Sequence, residues 1–312
     1  MSAEKQKIIL GSRGSELARA QTAMVLNALR GAWPQLDARI EIIKTSGDER
    51  GAEPIDPRAG RKGVFTGEIE RALLAGAIDI AVHSAKDLPS DPTAGLEVFA
   101  ALPRAAVDDV LIQKSPGDLA SLRRHAIVAT GSVRRRHQLR WQRPDIEVVD
   151  LRGNVPTRLR KLVNNEWDAI VLARAGIERL GHDLSGGSFV FEGTRFHAEI
   201  LSRAEFLPAG GQGVIALELR SDDENTKALA DRVNHPETLL CLNAEREFLR
   251  LLQGDCNSPV GVLATMHPKT MMLRAQIFEP GAREPHAGEV EGPVEEGAER
   301  LAARLMEKIN GR

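Results

Sequence analysis

Short apolar runs alternate with stretches of helical periodicity over most of the chain, and this alternation constrains the fold more than any other feature. Residues 8–10, 40–44, 78–82 and 96–101 read as strands, with helices after Ser15 and from near Thr66. Strands this short, rich in Ile, Val and Leu and spaced by helix-length segments, belong to parallel βαβ units. The same grammar restarts beyond Pro103, with strands at 110–113, 127–129, 146–150 and 169–172 and helices after Ser132 and Pro156. A Gly-rich stretch, 208–213, then leads into a strand at 214–219. A crossing out near 103 and a return near 208 make a two-segment hinge between two α/β domains. From 225 the pattern changes to a long helix (236–252), two strands (260–266 and 271–278), a turn-rich segment and a final helix (294–309), a small α+β domain. The expected division is 1–103 with 208–224, then 104–207, then 225–312, which suits a chain of 312 residues when single domains run to roughly 100–200.

Forty-two Lys and Arg against 44 Asp and Glu leave a net charge of -2, so the chain is no polycation built to coat nucleic acid, and any basic site is local. Two cysteines, Cys241 and Cys256, are too few for a disulfide framework and form no CxxC pair. The first residues resemble no secretory or transit leader, and no apolar stretch nears the roughly 20 residues of a membrane span. A soluble cytoplasmic protein is expected. The histidines show no metal-ligand spacing, so no metal is expected.

Arginines gather where strands turn into helices. Arg13 lies in the first such turn, Arg134, Arg135 and Arg136 follow Thr130-Gly131-Ser132, and Arg152 and Arg158 flank Gly153 to Pro156. A cation near a helix N-terminus is disfavoured by roughly 0.3 to 1 kcal/mol. A bound anion reverses that sign, gathering backbone N–H groups, the hydroxyls of Ser12, Ser15, Thr130 and Ser132, and the guanidinium forks. In open α/β sheets these turns line the ligand crevice. Glycine-rich phosphate loops are absent, so the expected ligand is a small organic molecule with several carboxylates. Arg136, Arg140 and Arg143 fit a solvated helix face equally well. Nucleic acid stacked on Trp141 is a weaker alternative, since aromatics are 4% of the chain and Tyr is absent.

Asp87 follows Lys86 at the end of a buried strand, ahead of Pro89, and is expected to enter the same crevice. Surrounding cations would keep it ionised, able to stabilise a developing cation or relay a proton. The plain alternative is a turn aspartate paired with Lys86. His83, inside a strand, reads first as a satisfied core residue. Cys241 lies on a helix and reads as a buried inert thiol. Cys256 lies in a loop, where a thiol can meet a ligand, although Asp255 beside it tends to raise its pKa.

The segments GSRGSELARAQ, GRKGVFTGEIE, DIAVHSAKDLP, ATGSVRRRHQL, LRGNVPTRL, DAIVLARAGIERLG and LPAGGQGVIALE, with the Cys256 loop, run collinearly from about Ile9 to Gly261. In them the chain closely resembles the hydroxymethylbilane synthase, or porphobilinogen deaminase, family. The resemblance implies two α/β domains like the halves of a periplasmic binding protein, joined by the two-segment hinge, and a small α+β C-terminal domain. It implies a transferase of tetrapyrrole biosynthesis, serving haem, chlorophyll and corrin. Such an enzyme deaminates porphobilinogen, couples four units head to tail on a covalent dipyrromethane cofactor, and releases hydroxymethylbilane by hydrolysis.

Carried over by position, Cys256 matches the thioether cysteine and Asp87 the catalytic aspartate. Arg13, Lys86, Arg134, Arg135, Arg152 and Arg158 match residues that bind cofactor or substrate carboxylates. Ser84, Thr130 and Ser132 match hydroxyl donors, Gln21 and Gln212 polar residues of the cleft, and Lys62 and Phe65 a mobile loop and its edge. The implied partners are porphobilinogen and, by transient hand-over of product, uroporphyrinogen-III synthase; the implied state is a monomer, binding neither nucleic acid nor membrane. Glu16, Gly131, Pro156 and Asp255 depart from the commoner family pattern. The competing class is a non-catalytic solute-binding or effector-sensing module for a polycarboxylate, which a hinged pair of domains also serves. That reading leaves Cys256 and the third domain without a purpose.

Overall fold

A computed structural model describes residues 7–45, 66–252, 259–279, 282 and 284–311. Lys62, Phe65 and Cys256, named above, lie outside the described residues. The first sheet contains β1 (Lys7–Arg13), β2 (Asp37–Ile43), β3 (Ile80–Ser84), β4 (Leu96–Ala101) and β11 (Ile215–Arg220), in the order β2-β1-β3-β11-β4. The second contains β5 (Asp109–Gln113), β6 (Ile127–Ala129), β7 (Glu147–Val149), β8 (Ala169–Ala173), β9 (Ser188–Phe191) and β10 (Thr194–Ile200), in the order β7-β6-β8-β5-β10-β9. Each has a parallel trio, as the βαβ pattern requires, followed by one strand antiparallel to it: β11 beside β3, and β5 beside β8. These two antiparallel strands are the ones that each crossing delivers.

Helices cover the sheets through the faces their spacing predicts. In α1 (Glu16–Ala32), capped by Ser15, Val25 and Leu29 pack on Ile8, Leu10, Ile80 and Val82. In α2 (Gly67–Leu74), Ile69 and Leu73 cover the opposite face at Ile78, Ala81 and Leu96. The second sheet carries α3 (Val133–Gln142), α4 (Val155–Asn164) and the short α5 (Arg174–Glu178). Pro156 sits in the first turn of α4, where its missing N–H costs nothing. Next, α6 (Glu224–Asp231) departs from the expected division at 225: Leu229 and Ala230 join the core of the first sheet, and Trp33 Nε1 donates to Leu229 O at 3.2 Å. Its apolar face is buried before the chain leaves for the third unit.

That unit is an antiparallel sheet of β12 (Val260–Met266), β13 (Thr270–Ile277) and β14 (His286–Pro293), covered by α7 (Pro236–Leu251) and α8 (Ala298–Asn310). β14 lies where the sequence predicts only a turn-rich segment, and the β9–β10 hairpin where it predicts no strand. β10 and β14 carry charges or glycines at alternate positions because their outer faces are largely exposed, and β9 is only four residues long.

The two crossings lie side by side: Leu102 N donates to Ile215 O at 3.1 Å and Ala105 N to Gly213 O at 3.0 Å. Gly213 has φ +83°, and a Cβ there would collide with the carbonyls of Ala105 and Ala106. One buried acid fastens both crossings to the third unit. Glu245, on α7, is 0% exposed and accepts from Arg104 Nη1 at 2.6 Å, Arg104 Nη2 at 3.1 Å, Gly211 N at 2.6 Å and Ala264 N at 2.8 Å. Removing one partner of a buried pair leaves the other uncompensated, so Glu245→Ala should lose about 3–5 kcal/mol of stability, measured as a lowered urea midpoint, with Glu245→Gln losing less.

Candidate active site

The first wall of the site is a single rigid turn. β3 ends at Ser84, and Ala85–Asp87 forms one 3-10 turn closed by Leu88 N donating to Ala85 O at 3.2 Å. Ala85 N donates to Val214 O at 3.1 Å, tying this turn to the second crossing. Gly211 passes so close that a Cβ would lie 2.9 Å from Lys86 N, and its φ of +74° also demands glycine. Asp87 is thereby held exposed beside half-buried Lys86. Gln21 reaches from α1 to the Ser84 hydroxyl at 2.8 Å. Ser12 is buried and accepts from the Thr22 hydroxyl at 2.8 Å. Arg13, Ser15, Gln21, His83, Ser84 and Asp87 line one cavity of about 60 Å3. His83 itself is buried, with Nε2 3.0 Å from Glu218 Oε2, as a satisfied core residue would be.

The second wall is built on Asp109, which the sequence reading did not single out. It is 0% exposed at the first position of β5. Arg134 Nη1 donates to its Oδ2 at 2.7 Å, Arg135 Nη2 to its Oδ1 at 2.7 Å, and Gln212 Nε2 to Oδ1 at 2.8 Å. Burial alone would raise this carboxyl; the two guanidinium groups overcome that and hold it well below the usual carboxylate range. Arg134 also serves Gln138 Oε1 and Leu207 O, and Arg135 serves Val171 O. Both guanidinium groups are thus engaged within the protein. A buried strand-initial acid needs counter-charge, and Arg134 and Arg135 supply it. Two cations against one anion leave the cluster positive.

Around this cluster stand the remaining expected residues. Thr130 is buried and its hydroxyl accepts from Ser132 N at 3.3 Å; Ser132 caps α3 by accepting from Arg135 N at 3.4 Å. A Cβ on Gly131 would run into Leu151 O, so the backbone of this turn passes too close for a side chain. Arg158 Nε donates to Gly153 O at 2.6 Å, and Arg152 Nε to Asp150 Oδ2 at 2.7 Å. Arg143 is structural, binding Asp145 and the carbonyl groups of Leu119, Ala120 and Leu122. Arg179, which no spacing singled out, donates to Gly213 O at 2.7 Å in the hinge, and burial brings it down to about 10.

Lys86 connects the two walls. Burial, and then the charge of Arg135, lower its ammonium to about 8, with Arg158 acting in the same sense and Asp87 and Asp109 opposing. The turn of one sheet thus lies within electrostatic reach of arginines at the helix entrances of the other. Leu17, near the start of α1, closes the gap further, 3.6 Å from where a Gly176 Cβ would stand. Cys241 is buried in the third unit, and burial first, then Glu245, push its thiol up to about 12, so it is the inert sulfur the sequence suggested.

The motifs and this geometry agree with what comparison shows. Residues 8–228 match the family model "Porphobilinogen deaminase, dipyromethane cofactor binding domain", and residues 239–311 match "Porphobilinogen deaminase, C-terminal domain". The chain belongs to the porphobilinogen deaminase family. It is 42% identical to the porphobilinogen deaminase of Moorella thermoacetica, over 98% of this chain and 95% of the relative. Identity is 44% to that of a Roseiflexus species, over 90% and 88%, and 41% to that of Thermus thermophilus, over 97% and 95%. Among solved structures, the methionine binding protein MetQ aligns over 76% of this chain and 93% of its own length, at 14% identity and a TM-score of 0.45.

A porphobilinogen deaminase site with Lys86 near 8 has a pH signature. The ammonium form attracts carboxylates and is lost as pH rises through about 8. The KM for porphobilinogen should therefore climb between pH 7 and 9 by about ten-fold at most, and Lys86→Gln should show a raised KM that is flat over that interval, as read by steady-state kinetics.

Proposed function

We propose that this chain deaminates porphobilinogen, condenses four units head to tail, and releases hydroxymethylbilane by hydrolysis, with Asp87 as the catalytic carboxylate. The observation that carries this reading is the exposed Asp87 on a fixed turn beside Lys86, lining one cavity with Arg13, Gln21 and Ser84. The donor set suits a dipyrromethane with its acetate and propionate arms. Arg13, Lys86, Arg152 and Arg158 supply cations and Ser84, Thr130 and Ser132 hydroxyls, while Arg134 Nε is buried without a hydrogen-bond partner among the described residues. Bound through a thioether to Cys256, that group supplies the nucleophilic pyrrole carbon from which the product grows.

Asp87 accepts hydrogen bonds from pyrrole N–H groups of the substrate. Its negative charge stabilises the cation left when the aminomethyl group departs as ammonia. Lys86, Arg13, Arg152 and Arg158 bind the carboxylate arms and orient the reacting carbons. Arg134 and Arg135, fixed by Asp109, act on those arms mainly through the field of a positive cluster. Gln21 holds Ser84, and Gln212 holds Asp109 and the hinge. Lys62 and Phe65 are proposed as further contacts. Three units follow the three sheets, the first extended to include α6. Among the described residues no helix is long and apolar enough to cross a membrane, and we take the chain to act as a cytoplasmic monomer that passes its product to uroporphyrinogen-III synthase.

Two measurements test this. Intact mass of the denatured protein should show an excess of two linked porphobilinogen-derived units that Cys256→Ser abolishes. An unmodified mass, even after incubation with porphobilinogen or hydroxymethylbilane, would favour a non-catalytic polycarboxylate-binding module. Asp87→Asn should keep the excess when supplied with the cofactor yet lose at least about 100-fold in turnover; ordinary turnover would remove Asp87 from the reaction.

A further inference from the structure

Asp109 and Asp150, at the ends of two strands of the second sheet, both meet arginines, and they are held in opposite ways. Asp109 is fully buried and receives bonds from Arg134, Arg135 and Gln212. Asp150 follows the last residue of β7, and its side chain is 49% exposed. Among the described residues, the hydrogen bond it accepts comes from Arg152 Nε at 2.7 Å. Its other oxygen lies 4.0 Å from Arg136 Nη2. A Cβ on Gly131 would stand 3.8 Å from that oxygen, which places Asp150 against the turn that opens α3.

We infer that Asp150 is a built-in competitor for Arg152, occupying one edge of its guanidinium fork and yielding it when a substrate carboxylate arrives. This rests on the proposed role of Arg152 in binding carboxylates. An acid that positions a cation needs anchors of its own. Asp109 has them in Gln212 and two arginines; Asp150 has no backbone N–H and no neutral side chain holding it among the described residues. A half-exposed ion pair gives up little on opening, because water replaces the lost partner. The exchange is close to neutral for an anion with a single carboxylate, which gains at Arg152 about what Asp150 loses. A ligand with several carboxylates still binds, because Lys86, Arg13 and Arg158 hold its other arms. Asp150 therefore raises the KM and selects for polycarboxylates.

The test is steady-state kinetics with porphobilinogen on the cofactor-bearing enzyme. Asp150→Ala removes an exposed side chain and should lower the KM by about two- to five-fold, with kcat held within about two-fold. In an Arg152→Gln background, which should itself raise the KM, the same substitution should have no effect. A KM that rises or stays unchanged in Asp150→Ala would overturn the inference, since the acid would then position Arg152 or do nothing. A fall that persists in the Arg152→Gln background would also overturn it, as an effect of overall charge. An unchanged KM in Arg152→Gln alone would show that the assignment of Arg152, rather than the competition, had failed.

Discussion

The buried carboxylate of Asp109 is the constraint around which the site is organised. It begins the first strand after the chain enters the second unit, and it is paired by two residues from α3 and one from the returning crossing. One acid therefore fixes the rotation of the arginine helix and its distance from the hinge, and hence the charge that Lys86 experiences from the other wall. Replacing Asp109 would leave two buried guanidinium groups without their anion. Such clusters add less to net stability than to the uniqueness of the arrangement around them.

The hinge repeats this logic with Glu245. Both crossings and the third unit meet at this one carboxylate, so the unit expected to bear the modified cysteine is fastened to the pivot of the other two. The close passage of Gly211 by Lys86 and of Gly213 by Ala105 explains the Gly-rich signature of the return crossing from the second unit to the first. It is a packing requirement of two chain segments sharing one groove.

What was legible in the sequence follows from which residues announce themselves. The βαβ alternation and the arginines beside small, hydroxyl-rich turns declare the parallel trios and the crevice, because both depend on local spacing. Asp109 and Glu245 were not legible. An acid flanking an apolar run looks the same whether it faces water or a pair of guanidinium groups brought from elsewhere in the chain. Arg134 and Arg135 stand at the turn that spacing predicts, and their engagement by Asp109 is not visible in spacing for the same reason. Strands β10 and β14 are obscured because their exposed faces carry charge at alternate positions, diluting the apolar signal, and β9 because it is only four residues long. Helix α6 was assigned to the wrong unit because its partner face is built by residues far earlier in the chain.

The place of β11 between β3 and β4 bears on how the protein is made. β4 has β11 as its neighbour in the first sheet, and β11 lies beyond the whole of the second sheet in the chain. As the polypeptide leaves the ribosome, the amino-terminal unit must wait with an unpaired strand and part of its apolar core uncovered, while the second unit, continuous in sequence, is free to fold. The first sheet is therefore complete only once the return segment has been made, after the whole of the second sheet.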